Sequence, residues 1–315
     1  MTGTTPALPE AGVKRGLVVW RITDGRAGHD TQSRGLLQAL ASLRDCNCFD
    51  IRAQPFNETL LQLMTRRFAA GAALPDPDFI VGAGHGTHMT LLAARRARGG
   101  LTVVLMKPSL PTGLFDYCLI PAHDQPPPRP NILLTRGVLN CATPSRQQSP
   151  GQGLILIGGP SRHHGWDAPG LLHQVREICN AGPDRHWSIS DSPRTPPATR
   201  TAIMGASITG AQFTPHGSTT PDWLARQLSR ASTVWVSEDS ISMVCEALSA
   251  GAAVGVLSVP VKRRGRVTRA LEDLTEAGLI TRFSDWRTGA AMRPPQPPLQ
   301  EATRCARILL EQALP

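Results

Sequence analysis

Short apolar runs alternate with segments of helical periodicity along most of the chain, and this alternation is the main pattern in the sequence. Continuous apolar runs of this length are typical of strands that are buried on both faces of a sheet. In the first half of the chain, such runs predict strands at 17–20, 46–51, 78–84, 101–106 and 117–121. Between them, apolar residues at helical spacing predict helices at 31–43, 58–70 and 87–98. The alternation predicts a parallel sheet with helices on both faces.

The pattern breaks in the middle of the chain and then begins again. Two stretches rich in Pro and Ser, 125–131 and 141–153, disfavour both helix and central strand, and we place a boundary near 142–152. Beyond it, apolar runs predict strands at 154–159, 187–190, 233–236 and 254–257. Helical spacing predicts helices at 170–179, 221–229, 240–250, 267–277 and 299–314, and a less well-defined helix and strand fill the stretch before Phe213. The two halves therefore predict two similar α/β units.

These boundaries divide the sequence into four parts. Residues 1–15 are expected to form a flexible tail, and residues 16–145 a Rossmann-like domain. A second Rossmann-like domain is expected at 146–293, and residues 294–315 hold a Pro-rich linker and the last helix.

Composition narrows the class of ligand. The chain has 315 residues, 41% of them hydrophobic, and a formal net charge of +9 that comes almost entirely from Arg. A basic surface suits a nucleic acid, an anionic lipid or a phosphorylated ligand. Aromatic residues make up only 4% and are not interleaved with basic ones, so we expect no nucleic acid as partner.

The sequence predicts a cytoplasmic protein without a resident metal. No apolar run approaches the length of a membrane span, and the first residues lack the pattern of a secretory signal. The seven cysteines are scattered without a CxxC pair, which favours reduced thiols over disulfides or zinc.

The loops that follow the strands are the candidate binding sites, because ligands of parallel α/β sheets bind beyond the carboxyl ends of the strands. In the first loop, at 21–36, Gly25 and Gly28 allow a tight turn before a helix whose free N–H groups would favour an anion. Its titratable side chains are Asp24, Arg26, His29 and Asp30. The loop is not GxGxxG, so it does not predict a dinucleotide site, and a capped turn with surface charges is the alternative.

Two further loops of the first half carry histidines. His85 lies among glycines at 82–89, where contact with a ligand and simple loop packing are equally compatible with the sequence. His88 follows at metal-ligand spacing, but no third ligand is evident. At the end of the strand 117–121, His123 and Asp124 are a candidate pair beside the same cleft, or else ordinary loop residues.

Two loops of the second half suggest phosphate contacts. Gly158 and Gly159 follow a buried strand and precede Ser161, which makes a plausible phosphate-binding turn that lacks the Walker sequence. Arg194 and Thr195 follow the strand 187–190, where Arg could hold a phosphate through two hydrogen bonds. Structural turns are the alternative for both loops.

The helix predicted at 240–250 combines hydroxyls and a carboxylate. Ser240 and Ser242 lie in its first turn, where backbone N–H groups have no partner within the helix. Glu246 is four residues beyond Ser242 and so shares its face. One face could therefore bind a phosphate at its end and a pair of sugar hydroxyls further along. The alternative is that Ser240 only caps the helix and Glu246 is solvated.

The loop 261–266 is basic. Arg263, Arg264 and Arg266 could contact a diphosphate or the surface of an anionic membrane, although a solvated charge run is the alternative.

Five segments, taken together, resemble the mitochondrial-fission (elongated-mitochondria) family. They are DGRAGHDTQSRGL at 24–36, FDYCLIPAHD at 115–124, GGPSRHHGWD at 158–167, SPRTP at 192–196 and SEDSISMVCEALSAG at 237–251. The resemblance extends from residue 17 to about 285. It implies a bacterial-type member with a GT-B glycosyltransferase-like fold: two Rossmann-like domains that face a cleft, with a C-terminal helix that crosses back to the first domain.

The resemblance also implies roles for residues. Donor binding, to a nucleotide-diphosphate sugar, would fall to Gly158, Gly159, Ser161, Arg194, Thr195, Ser240, Ser242 and Glu246, with Glu246 on the ribose. The catalytic base would be His29, Asp30 or Asp24. The acceptor-side loops would contribute Gly25, Arg26, Gly28, His85, His123 and Asp124. In the family the loop after the third strand usually carries Arg where this chain has GHGTH.

The expected activity is transfer of a sugar, without a cofactor or a metal, to an acceptor that the sequence does not identify, with an envelope or lipid-linked molecule as one candidate. Inversion at the anomeric carbon is implied by the resemblance. Two alternatives stay open: a nucleotide-sugar epimerase, and a non-catalytic adaptor like the plant members, which recruit a dynamin-like protein to the mitochondrial surface. We expect a cytoplasmic protein, peripheral on the inner face of the membrane if the basic loop binds lipid.

Overall fold

The structure, a computed structural model, describes residues 16–313, so the predicted tail at 1–15 lies outside the described residues. Within that range, the apolar runs of the first half form one parallel sheet of six strands. They are β1 (Leu17–Thr23), β2 (Cys46–Arg52), β3 (Phe79–Ala83), β4 (Leu101–Leu105), β5 (Tyr117–Pro121) and β6 (Ile132–Thr135). The order is β2-β1-β3-β4-β5-β6. Because all neighbours are parallel, the carboxyl ends of the strands meet at one edge of this amino-terminal sheet.

Helices cover both faces of the amino-terminal sheet. They are α1 (Ala27–Leu43), α2 (Phe56–Thr65) and α3 (His88–Arg98). Alternate residues of β1 point to opposite sides, so Val19 packs with Leu36 of α1 on one face and Trp20 packs with Leu91 of α3 on the other. Each face therefore has its own apolar core.

The second half of the described chain forms another parallel sheet of six strands. They are β7 (Ser149–Leu156), β8 (His186–Ser190), β9 (Ala211–Thr214), β10 (Ala231–Ser237), β11 (Ala253–Leu257) and β12 (Ile280–Arg282). The order is β12-β11-β10-β7-β8-β9. The helices that follow these strands are α4 (Ala168–Ala181), α5 (Pro197–Gly205), α6 (Trp223–Arg230), α7 (Ile241–Ala250), α8 (Arg266–Glu276) and α9 (Phe283–Arg287). We call this the carboxy-terminal sheet.

The last helix, α10 (Glu301–Ala313), returns to the amino-terminal sheet. Its Ala306 and Leu309 are fully buried in the core that contains Leu36 and Leu40 of α1. Glu301 accepts a hydrogen bond of 2.8 Å from the backbone N–H of Arg136 and fixes the start of the helix. The α/β class, the two parallel sheets and the returning C-terminal helix are thus confirmed. The strands of the first sheet lie within 16–145 and those of the second within 146–293.

Several elements differ from the sequence-based prediction. The strands β6 and β12 and the helix α9 were not predicted, because these elements are only four, three and five residues long and both strands lie at sheet edges. The helix predicted at 58–70 ends at Thr65, because Arg66 adopts a left-handed conformation with φ of 54°. β7 begins at Ser149, inside the predicted Pro- and Ser-rich connection, since Pro is tolerated near the start of a strand.

Among the described residues, no helix is both long and apolar enough to cross a membrane.

Candidate active site

The carboxyl edges of the two sheets meet, and two contacts show where. Asp124, just after β5, forms an ion pair with Arg266 at the start of α8, with 3.1 Å between Oδ1 and Nε. Nearby, Gln125 accepts a hydrogen bond of 3.4 Å from Arg269 of α8. The loops that follow the strands of both halves therefore border one cleft.

On the amino-terminal side, Asp24 and His29 form a hydrogen-bonded pair. Asp24 directly follows β1 and His29 lies in the first turn of α1, which begins four residues earlier than the sequence predicted. The distance between Asp24 Oδ2 and His29 Nδ1 is 2.8 Å. Burial alone would raise the pKa of Asp24, but hydrogen bonds from His29 and from the Arg26 N–H outweigh it and lower the pKa. An ionised Asp24 fixes the proton on Nδ1, which leaves Nε2 as an acceptor in the neutral imidazole.

The loop after β3 supports the His29 ring. A side-chain carbon at Gly84 would lie 2.2 Å from His29 Cε1, and the φ of Gly84 is +80°. Both conditions require glycine at this position. A side-chain carbon at Gly86 would lie 3.4 Å from Oδ2 of Asp24, an ordinary contact distance. The glycine-rich loop therefore positions the pair, while His85 itself is exposed and His88 is buried against Phe115.

Asp30 belongs to a different network from that of His29. It accepts a hydrogen bond of 2.5 Å from Thr23 Oγ1 and lies 3.4 Å from Arg21 Nη1. Arg21 is only 3% exposed and also binds Asp50, with 2.7 Å from Nε to Oδ1. The two carboxylates thus compensate a buried guanidinium, so Asp30 is engaged within the protein. Gly25 makes the turn with φ of +76°, and Arg26 and Gly28 lie in the exposed part of the loop.

The pair His123 and Asp124 does not lie open to the cleft. His123 is buried in a short 3₁₀ turn, and burial lowers its pKa. Asp124 is engaged by Arg266 from the other half. These positions therefore join the halves, and the geometry gives no support to the predicted acceptor-side contact.

On the carboxy-terminal side, the glycine turn after β7 is closed by Asp239. The N–H of Gly158 donates to Ser237 Oγ at 2.7 Å, and the N–H of Gly159 donates to Asp239 Oδ2 at 3.0 Å. A side-chain carbon at Gly158 would lie 2.2 Å from Asp239 Oδ2. Gly158 is thus required for close approach of this carboxylate, and at Gly159 a side-chain carbon would instead lie 2.1 Å from the Arg194 carbonyl oxygen. The prediction that their N–H groups face a phosphate is not supported, because both groups already have acceptors.

Arg194 is held by the same carboxylate but stays open on one side. Its Nη2 lies 2.7 Å from Asp239 Oδ2, and its side chain is 43% exposed while that of Asp239 is fully buried. Its Nη1 donates to the Gly159 carbonyl at 3.1 Å. The N–H groups on the exposed side of the guanidinium could donate hydrogen bonds to a phosphate oxygen.

Two neighbouring hydroxyls are used within the protein. Thr195 is buried, and its hydroxyl donates a hydrogen bond of 2.5 Å to the Gly158 carbonyl. Ser161 Oγ accepts the backbone N–H groups of His163 and His164 at 3.1 and 3.0 Å. Both residues therefore shape the turn, and the predicted donor contacts through their hydroxyls have no geometric support.

The start of α7 is open. Ser240 is the N-cap residue, but its side chain makes no capping hydrogen bond. Ser242 is exposed in the first turn. The free N–H groups and the two hydroxyls therefore offer donors to an anion at this helix end.

Glu246, further along α7, lines a cavity of about 610 Å³ between the two halves. It is partly buried, and no described residue donates a hydrogen bond to it. Burial raises the pKa of its carboxyl to about 7. The cavity is also lined by Thr31 of α1, by the connection 141–147 and by Leu224 and Leu228 of α6. Thr31 lies two residues beyond His29 in α1, so the start of this helix contributes to the wall of the cavity, although His29 itself is not a lining residue.

The sequence profile of the family described as Mitochondrial fission ELM1 matches residues 27–313. The chain belongs to this family. No curated protein matches the sequence.

Solved structures of other proteins have the same architecture as this member of the ELM1 family. The UDP-GlcNAc 2-epimerase from Methanocaldococcus jannaschii superposes with a TM-score of 0.58 at 12% identity, covering 94% of this chain and 99% of that one. The glycotransferase of kitacinnamycin gives 0.54 at 14% identity, with 96% and 100% covered. MurG from Acinetobacter baumannii gives 0.52 at 13%, with 93% and 95% covered. The fold is therefore GT-B, and identities this low establish only the fold.

The basic loop of this ELM1-family chain is partly engaged. Arg264 is paired with Glu272, and Arg266 with Asp124. Arg263 is exposed, and its backbone N–H bonds to the carbonyl of His163. Within residues 16–313, no three His, Cys, Asp or Glu side chains are grouped as ligands of a metal ion.

Sequence reasoning missed one organising residue. Asp239 ties Ser237, Gly159 and Arg194 together from a fully buried position. The signal was present as an acidic residue directly after a buried strand, but only the fold shows that the glycine turn of β7 packs against it.

Proposed function

We propose that the protein transfers a sugar from a nucleotide-diphosphate sugar to a hydroxyl acceptor in the cleft between the two sheets. The observation that carries the proposal is the cavity of about 610 Å³. Its walls bring Glu246, which has no hydrogen-bond partner among the described residues, together with Thr31 of α1, the helix whose first turn also carries His29.

The donor would lie along α7. The free N–H groups at its start and the exposed side of Arg194 would stabilise the negative charge that develops on the departing diphosphate. Glu246 would accept hydrogen bonds from the two ribose hydroxyls. The epimerase from Neisseria meningitidis, with the same fold at a TM-score of 0.53, was solved bound to UDP-GlcNAc. This supports UDP-GlcNAc as the first donor to test.

The chemistry would be a single displacement. His29 Nε2 would take the proton of the acceptor hydroxyl as its oxygen forms a bond to the anomeric carbon, and the bond from that carbon to the diphosphate oxygen would break. Asp24 would stabilise the imidazolium that forms. Attack from the side opposite the leaving group inverts the anomeric centre.

Binding is tested by calorimetry and thermal shift with UDP, UDP-GlcNAc and a panel of other nucleotide sugars. We expect one of them to stabilise the wild-type protein and Glu246→Ala to lose that effect. Glu276→Ala, which alters an exposed glutamate on α8, is the matched control and should bind normally. Equal binding by both variants would overturn the assignment of Glu246.

Catalysis is tested separately with the donor identified in this way. Release or transfer of the sugar should be lost in His29→Ala and retained in His186→Ala, which alters an exposed histidine on β8. Absence of any turnover together with tight nucleotide binding would favour the adaptor alternative.

An epimerase is the second candidate, because the M. jannaschii protein that shares this fold is a UDP-GlcNAc 2-epimerase. An epimerase would convert the nucleotide sugar into its epimer without an acceptor. Incubation of UDP-GlcNAc with the protein alone, followed by NMR of the sugar, distinguishes the two reactions.

A further inference from the structure

The helix α2 exposes four of its five apolar residues and buries a polar one, while the fifth, Leu63, packs against the core. Phe56, Leu60, Leu61 and Met64 are 64%, 45%, 62% and 75% exposed. Thr59 is fully buried on the opposite side. A surface helix normally has the reverse arrangement. Burial within the described chain therefore does not explain why these four positions are apolar.

The four side chains form one continuous surface. Phe56, Leu60 and Met64 follow each other at intervals of four residues, and Leu61 lies beside them, so they cover one side of the helix. We call this surface the α2 face. The helix is anchored elsewhere, since Arg96 of α3 donates a hydrogen bond of 2.7 Å to the carbonyl of Leu63. Replacing residues of the α2 face should thus leave the fold intact.

Positive charge borders the α2 face. Arg66 and Arg67 follow the carboxyl end of the helix, Arg52 precedes its amino end, and all three are exposed. Glu58 is the acidic residue on α2. An apolar face flanked by arginines is complementary to a surface with acyl chains beneath anionic headgroups.

The start of α2 lies next to Asp24, which holds the proposed base His29. A hollow of about 550 Å³ is lined on one side by Asp24 and Gly86 and on the other by Pro55 and Glu58, at the start of α2. A molecule held with its polar end in this hollow would have its remaining part directed along α2.

We propose that the α2 face docks onto an anionic lipid surface and that the sugar acceptor is a lipid-linked molecule whose headgroup enters the hollow beside Asp24. The acceptor part rests on the proposed transferase function, whereas the docking does not. This assigns membrane contact to the α2 face, in place of the loop 261–266, where Arg264 and Arg266 are already paired within the chain.

The test is co-sedimentation of the full chain with phosphatidylcholine vesicles that contain or lack phosphatidylglycerol. Leu61→Ser with Met64→Ser should weaken binding to the anionic vesicles by about tenfold for each side chain removed. Met204→Ser is the matched control, because Met204 on α5 is also 63% exposed. It should bind as the wild type does.

Substitutions that remove positive charge distinguish the α2 face from the basic loop as the surface that contacts the membrane. Arg66→Gln with Arg67→Gln should weaken binding by about fivefold per charge. Lys262→Gln with Arg263→Gln in the basic loop should leave binding unchanged. The reverse result would place the contact on the basic loop and overturn the proposal.

Two further results would also overturn it. One is equal vesicle binding by the wild type and the Leu61/Met64 variant. The other is a wild-type dimer, by analytical ultracentrifugation, that the same variant dissociates, which would make the α2 face a contact between two copies. Binding of UDP without vesicles should be the same in the variant and the wild type, so failure of the docking and failure of the donor site are distinguishable.

Discussion

Replacement of the Glu246 carboxyl group is expected to have opposite effects on two measurable quantities. It should increase the stability of the protein and decrease its affinity for the nucleotide sugar. Burial raises the pKa of the Glu246 carboxyl from an ordinary value near 4.5 to about 7. A tenfold change in proton affinity corresponds to about 1.4 kcal/mol, so keeping this group ionised in the folded protein costs ~3 kcal/mol. Partial contact with solvent at the cavity makes this an upper figure.

The sign of the pH dependence follows from the direction of the pKa change. Because the folded protein holds the proton more tightly, the carboxyl imposes no penalty below pH 4.5. The penalty grows as the pH rises towards 7 and is constant above it. Glu246→Gln removes the ionisable group, so the variant should be more stable than the wild type by ~3 kcal/mol at pH 8 and about equally stable at pH 4.5.

Urea unfolding followed by circular dichroism at both pH values measures the difference. Glu276→Gln on the exposed side of α8 should show no such pH-dependent gain. The same Glu246→Gln variant should lose affinity for the nucleotide sugar, since the amide is a weaker acceptor for ribose hydroxyls. A variant that is no more stable at pH 8, or that binds the nucleotide as well as the wild type, would refute the reasoning.

Three other predictions concern the pair of Asp24 and His29 and the turn on the other side of the cleft. Gly84→Ala should destabilise the protein by more than Gly99→Ala, which costs about 1 kcal/mol for its positive φ alone, because only position 84 also meets the His29 ring; paired thermal melts compare them. Asp24→Asn should lower kcat by about a hundredfold with little change in KM, since the histidine loses its orienting carboxylate but substrate contacts remain; steady-state kinetics with the identified donor decide this. Asp239→Ala should cost about 3 kcal/mol of stability, because a partly buried guanidinium and an N–H group lose their partner; a stability equal to that of the wild type in urea would contradict the assigned role.

The sequence alone established the two α/β halves and the loops that border the cleft. Continuous apolar runs such as 101–106 are sufficient for this, because a strand buried on both faces needs apolar residues at every position. The edge strand β6 was missed although Ile132, Leu133 and Leu134 are apolar, since a run of three apolar residues directly after a Pro-rich stretch is too short to predict a strand. The position of Glu246 on the face of a helix that begins at a site open to anions also followed from helical spacing.

Tertiary structure decided which side chains meet. Asp24 and His29 are close in sequence, yet only the packing of the β3 loop through Gly84 shows that the ring is held against the carboxylate. The turn at Gly158 looked free to bind phosphate until Asp239, some eighty residues away, was seen to occupy it. The spacing of residues in the sequence predicts which of them share a strand or a helix face. Contacts between distant segments depend instead on how the strands are ordered and twisted in the sheets. The exposed apolar side of α2 could not be predicted for the same reason. Periodicity indicates that a helix has an apolar side, but only the assembled fold shows whether other residues cover that side.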